Sequence, residues 1–438
     1  MTTPERAAMD PLIATLALIL IALLGSRFSF ATRQVSAGSQ LLLRTGTHFL
    51  LLGFLLGPTA LGLLSREAVG QLSPLLGLAL GWIGLLFGLQ LERGALRHFP
   101  RVFLVLALGQ ATLVCALLLA GGLLLASRLS LAGEATMLVL AGAAATACIS
   151  TPAAVAIVAA NFRVKGQVKD LLYFVASLDA IVGITVLHVA YAAMHGTPVM
   201  AARGDEPVWF WVLAGVGLGV VCAVIFLWLA RLRPSREELV LYLLGISALA
   251  AGAALQLQLS PLFVGTVTGV IITNLNPQWH RAFRIMERWE KPIYLILLLL
   301  AGAALRIPAW WVLPLALGYA VTRALAKVLA TGFLVRVLPL PFPTPLSLGM
   351  GLVPQGGISI AMAISLSLTL RSSDARMAGV DAADLLFATV IVGVVISDLV
   401  GPFLTTRLLR SGAGGERDPR GAADHAPDRT GTRAPESP

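Results

Sequence analysis

From residue 11 to residue 408 this chain is a succession of apolar runs joined by short polar connections, and many of the runs are long enough to cross a hydrocarbon layer of roughly 30 Å. No single residue constrains the fold as much. Inside lipid a backbone N–H or C=O finds no water, so each run must satisfy its own polar groups by forming a helix. Hydrophobic residues make up 57% of the chain and charged residues 12%, whereas a soluble domain carries about a quarter charged. The sequence therefore reads as an all-α polytopic membrane protein.

About thirteen spans are expected, at residues 11–29, 46–64, 72–92, 100–127, 133–160, 168–194, 207–232, 238–256, 260–275, 291–306, 309–338, 345–370 and 382–408. Some are short for a bilayer and some long, which implies tilted or interrupted helices. The first run follows Arg6 but has no small-residue cleavage site after it, so it does not read as a removable signal. Basic residues alternate between the connections. Those after spans 1, 3, 5, 7, 9 and 11 hold most of them, for example Arg93, Arg97 and Arg101, or Arg281, Arg284, Arg288 and Lys291, while the opposite connections hold few. By the positive-inside rule the amino terminus is expected outside and the carboxyl terminus in the cytoplasm, with the protein in a bacterial inner membrane. The formal charge of +10 then reflects orientation against an anionic leaflet, and a nucleic-acid partner is not indicated. Residues 1–410 form one membrane domain. Residues 411–438 are rich in Gly, Pro, Ala, Asp and Arg and are expected to be a disordered cytoplasmic tail.

Several chemistries lack their residues. Cys115, Cys148 and Cys222 fall in separate spans with no paired spacing, so neither a disulfide framework nor a thiolate metal site is indicated. There is no HExxH, GxSxG or GxxxxGK[ST] pattern. An enzyme is not expected, and no cofactor is implied.

The polar residues that remain at depth are few. Asp179 lies in the middle of the apolar run Leu171 to Met194. An anion there costs about 2.5–3.5 kcal/mol on insertion scales, so it should face a cavity, carry a proton or hold a cation. Arg323 and Lys327 sit inside span 11, four residues apart and hence on one helix face. Two spans carry helix-breaking residues near their centres: Pro152 after Ser150 and Thr151 in span 5, and Pro354-Gln355-Gly356-Gly357 in span 12. Unwound backbone is tolerated at membrane depth only inside protein or along a watery cavity, and a pair of such breaks is the best sequence pointer to a transporter's site. The breaks lie seven spans apart, so their segments enter from opposite sides, as inverted-topology repeats do. Plainer readings exist. Each break can be a packing kink, and Asp179 can be a structural partner of Arg323 or Lys327. Asp398 in span 13 reads as structural and His188 as packed. Gly77, Gly81, Gly84 and Gly88 form small-residue faces that could support a dimer.

The chain resembles the monovalent cation/proton antiporters of the sodium/proton exchanger type over residues 46–411. The resemblance rests on Leu51 to Gly62, the Gly84 to Glu92 run, Ser150-Thr-Pro-Ala-Ala-Val, Asp179, Arg323-x-x-x-Lys327, Pro354-Gln-Gly-Gly and Gly401-Pro-Phe. It implies an inverted-repeat antiporter fold in which broken spans 5 and 12 cross. It also implies a mobile core of spans 4–6 and 11–13, a dimer panel of spans 1–3 and 8–10, and a linking span 7. Asp179 would be the ion-binding aspartate, Thr151 and Ser150 further ligands, and Lys327 or Arg323 the basic residue of the core. Three positions depart from the family pattern. Leu178 stands where many relatives carry Asp or Asn, Thr151 and Pro152 are adjacent, and Gln355 replaces a frequent arginine.

The expected activity is exchange of a monovalent cation, sodium, potassium or lithium, for protons by alternating access, with both ions competing for Asp179. No His or Cys accompanies Asp179 in sequence, which favours such hard cations over transition metals. Because Leu178 binds no second proton, one-for-one electroneutral exchange is expected. The alternatives are a sodium-coupled organic-anion transporter on the same fold, with Lys327 and half-helix amino ends on the anion, and a non-transporting membrane sensor or scaffold. A homodimer in the lipid bilayer is expected in each case.

Overall fold

The computed structural model describes residues 46–131, 133–195, 206–371 and 375–412. The first expected span and nearly all of the expected tail lie outside these residues. The helices are α1 (Thr47–Leu56), α2 (Arg66–Gln71), α3 (Ser73–Leu89), α4 (Arg93–Arg97), α5 (Arg101–Arg128), α6 (Glu134–Ala147), α7 (Pro152–Phe162), α8 (Gln167–Met194), α9 (Val208–Ala230), α10 (Arg236–Gln256), α11 (Pro261–Leu275), α12 (Trp279–Ala304) and α13 (Val312–Val337). A 3₁₀ helix (Leu346–Leu352) leads to α14 (Gly357–Leu370), and a two-residue-per-strand hairpin, β1 (Arg376–Met377) and β2 (Val380–Asp381), precedes α15 (Ala382–Gly412). Among the described residues, seven helices are long and apolar enough to cross a membrane, counting α6 and α7 as one, and the 3₁₀ helix with α14 makes a further span bent by 63°. The chain is thus a multi-pass, all-α membrane protein.

Local signals account for several boundaries. Pro152 and Pro261 open α7 and α11 at the position where a missing N–H costs nothing. Ser235 and Glu238 form a reciprocal capping box at the start of α10, with the Ser235 amide 2.6 Å from the Glu238 carboxylate. Two boundaries and one connection differ from the sequence expectation. α1 ends at Leu56, well short of residue 64, because Gly57 and Pro58 stop it. α12 begins at Trp279 and not at 291, since its first turns carry Arg281, Arg284 and Arg288 and apolarity alone does not register them as helix. The short hairpin, turning through Ala378 and Gly379 at positive φ, occupies part of what read as a plain loop.

Packing divides by neighbours. α5, α6, α7, α8, α13, the 3₁₀ helix, α14 and α15 lie against one another, while α3 packs on α10, α11 and α12, and α1 packs on α12. α9 contacts α8 on one side and α10 and α11 on the other. The glycine faces of α3 are spent inside the chain. Gly84 and Gly88 press on the α11 backbone at Leu262 and Thr266, and Gly81 on the α10 backbone at Ser247. Gly265 and Gly269 return the contact against α3. Without a hydrophobic drive between helices in lipid, this close backbone approach is what dispersion packing requires. These glycines are therefore not free to form the dimer face that the sequence suggested for them.

Candidate functional site

The α6–α7 break and the 3₁₀–α14 break lie against each other. The Thr151 amide donates to the Pro354 carbonyl at 3.0 Å, and the Ser150 hydroxyl donates to the Leu352 carbonyl at 2.9 Å. Gly356 (φ +71) faces the Thr151 side chain so closely that a Cβ there would lie 2.7 Å from Thr151 Cβ. Two interrupted helices thus cross at their unwound residues, with backbone groups of each satisfying the other.

The basic pair from α13 caps the carbonyl ends at this crossing. Arg323 donates through Nε to Ala147 O at 3.1 Å, through Nη1 to Val353 O at 2.5 Å, and through Nη2 to Ile149 O. Its planar fork reaches three carbonyls that the breaks leave without helical partners. Lys327, one turn further on, donates to Cys148 O, to Ser150 Oγ at 2.9 Å and to Asp179 Oδ2 at 2.9 Å. Both side chains are fully buried. The sequence left open which of the two meets Asp179; it is Lys327 that forms the ion pair.

Asp179, also fully buried, has donors on both oxygens. Oδ1 accepts the Ser150 amide at 3.1 Å, and Oδ2 accepts Lys327 and, at 3.5 Å, the Gln110 amide of α5. Gln110 Oε1 in turn lies 3.4 Å from Lys327 Nζ. Gln110 was not among the sequence candidates, although a lone amide within the apolar stretch of α5 was a readable signal. Ser150 touches the carboxylate through its amide and the ammonium through its hydroxyl. Thr151 lines a cavity of about 320 Å³ together with Pro152, Gln90, Glu290, Lys291 and Tyr294. That cavity reaches the crossing but not Asp179.

The second break has its own carboxylate. Asp398 of α15 accepts the Gln355 amide at 2.9 Å and the Gly356 amide at 3.2 Å, both on Oδ1, at the start of α14. The Gln355 side chain donates to Thr146 O at 2.9 Å and to the Tyr319 hydroxyl at 3.0 Å. Pro354 packs against Gly401, and Gly357 against the Tyr294 hydroxyl. His188 stacks on Phe263 with centroids 3.8 Å apart, away from the crossing. Among the described residues no group of three or more His, Cys, Asp or Glu side chains is placed to hold a metal.

Comparison with known proteins bears on this arrangement. The family model described as "Sodium/hydrogen exchanger, transmembrane" matches residues 12–411. The chain belongs to the sodium/hydrogen exchanger family. Its fold is similar to that of the sodium proton antiporter MjNhaP1 of Methanocaldococcus jannaschii. The structure of that protein at pH 8 superposes with a TM-score of 0.62 at 14% identity, covering 92% of this chain and 100% of the other. Its electron-microscopy structure gives 0.63 at 15% identity, covering 94% and 100%. No curated protein matches the sequence. Family and fold are thus those of membrane cation/proton antiporters rather than of enzymes. At these identities the structural likeness establishes the antiporter fold of this exchanger-family chain and leaves the roles of its residues to its own geometry.

Proposed function

We propose that this chain exchanges one monovalent cation, sodium, potassium or lithium, for one proton by alternating access, with Asp179 as the group for which the two ions compete. The observation that carries the reading is the buried Asp179–Lys327 pair at the crossing of two broken helices. A carboxylate held by an ammonium, an amide N–H and a distant Gln110 can trade the ammonium for a proton or for a cation without unmaking the crossing. Lys327 keeps Cys148 O and Ser150 Oγ as acceptors when Oδ2 is taken. The hydroxyl of Ser150 and the carbonyls at the breaks supply further oxygens of the kind hard cations use. Leu178 offers no second titratable site beside Asp179, which supports one-for-one, electroneutral exchange.

Movement follows the packing. The helices around the crossing form the body that moves, α1, α3, α10, α11 and α12 form the panel through which a homodimer assembles, and α9 links the two. The cavity at Thr151 abuts α12 near Glu290 and Lys291, whereas a second, of about 380 Å³, abuts the other end of α12 at Ala301 to Arg306. With the basic connections in the cytoplasm, the first serves cytoplasmic entry. The test is reconstitution in liposomes containing a pH-sensitive dye, with sodium, potassium or lithium added to the native chain and to Asp179→Asn. Cation-dependent proton flux without net current, absent in the variant, is the expected result. A cation-driven current contradicts the stoichiometry, and flux that survives Asp179→Asn contradicts the site.

A further inference from the structure

Asp398 stands to the second break as Asp179 stands to the first. Each lies in the span that follows its broken span, and the two spans are seven apart, like the breaks themselves. Each accepts, on Oδ1, backbone amides released by its break: Ser150 N for Asp179, and Gln355 N with Gly356 N for Asp398. The other oxygen distinguishes them. Asp179 Oδ2 meets Lys327 and Gln110, whereas Asp398 Oδ2 is buried with no hydrogen-bond partner among the described residues.

Among the described residues no basic side chain hydrogen-bonds to it. Arg323 is the basic side chain near enough to act on Asp398, and its three donating nitrogens are directed to Ala147, Ile149 and Val353 carbonyls. Tyr294 of α12 is a further ionisable neighbour, and its phenol brings no positive charge. A second acceptor at the same junction is also orphaned. Gln355 Nε2 must face Thr146 O, which can only accept, so the amide cannot be turned over and Oε1 is left without a donor. The junction therefore holds two buried acceptors that lack a donor, on residues already joined through the Gln355 amide. Two amides and the start of α14 favour an anion at Oδ1, but that effect is smaller than the cost of leaving a desolvated carboxylate oxygen unpaired.

We propose that Asp398 is a second proton-binding site, in which the carboxyl group is held as the neutral acid with its proton on Oδ2. The proton is the occupant because it supplies the donor the junction lacks and needs no coordination shell. Among the described residues no basic side chain is hydrogen-bonded to Asp398 to take the place of a departing proton as Lys327 does at Asp179, so this proton stays in place while Asp179 exchanges. The inference does not depend on the exchange reading, since its primary readout needs no transport.

Infrared absorption of the purified protein, recorded in H₂O and D₂O, tests it. The carbonyl stretch of a protonated carboxylic acid is expected in Asp179→Asn, where the exchanging carboxyl group contributes none, and is expected to be lost when Asp398→Asn is added to it. The asparagine keeps an acceptor for the two amides and places an N–H where the acid carries its proton, so this variant should fold. If it does not fold, Asp398→Glu is the substitute, and the band should shift. A band unchanged by either substitution overturns the proposal.

Discussion

Replacing Lys327 with methionine keeps the length of the side chain but removes the charge that pairs with Asp179. The variant leaves Asp179 Oδ2 with Gln110 alone, at 3.5 Å, and leaves Cys148 O without its ammonium donor. Breaking a buried ion pair from one side costs about 3–5 kcal/mol, because the remaining charge is stranded without its partner. Asp179→Asn leaves the ammonium its two neutral acceptors, Cys148 O and Ser150 Oγ, but no counter-charge, and carries a similar cost. In the double variant neither charge remains. Its loss is confined to unsatisfied neutral groups, about 1–3 kcal/mol, against roughly 6–10 kcal/mol for the summed single changes. The double-mutant cycle should therefore show a coupling of about 3 kcal/mol or more, at the upper end of what contacting residues display. Unfolding of the three variants and the native chain in one detergent, followed by intrinsic tryptophan fluorescence, measures it. Additive single effects would refute the argument, since they would mean that the two charges are solvated independently rather than by each other.

Two other changes probe the crossing. Gly356→Ala places a Cβ against Thr151 at a φ of +71 and ψ of −171, a combination essentially reserved for glycine, and should cost about 1–3 kcal/mol in strain with loss of cation flux. Gly379→Ala, at φ +81 in the hairpin with open space around it, serves as the control and should lower stability by about 1–2 kcal/mol while flux is retained; equal flux in both variants would contradict the account. Arg323→Lys keeps the charge but loses the fork, leaving at least one of the carbonyls of Ala147, Ile149 and Val353 unpaired at about 1–3 kcal/mol each, so its unfolding midpoint should fall although the net charge is unchanged. A native midpoint would show that the carbonyls are satisfied some other way.

Much of this architecture was legible because lipid removes alternatives. Apolar length reports the spans, proline and glycine report the breaks, and a carboxylate or ammonium within an apolar run reports a buried polar site. The details that escaped were those set by direction and partnership. Arg323 and Lys327 share a helix face, and only tertiary packing sends the first to the carbonyls and the second to Asp179. Gln110 is a neutral amide whose depth costs less than a charge's does, so it did not stand out beside the charges. Asp398 lies close enough to the end of its helix to read as an anchor, and its relation to the second break depends on a contact 43 residues away in sequence. The early start of α12 was hidden because its first turns are amphipathic and charged, a pattern that apolar length does not detect.

The central claim is that a proton and a monovalent cation compete for Asp179, and proton release measures that competition most directly. Purified protein in weakly buffered detergent solution, held at a pH where exchange is active, is mixed with sodium, potassium or lithium chloride while a pH dye is followed. The account predicts release that saturates at no more than one proton per chain with the transported cation, that is blunted at alkaline pH, and that is absent from Asp179→Asn. Calorimetric binding of the cation with no proton release at any pH, or release of the same size from Asp179→Asn, would contradict it.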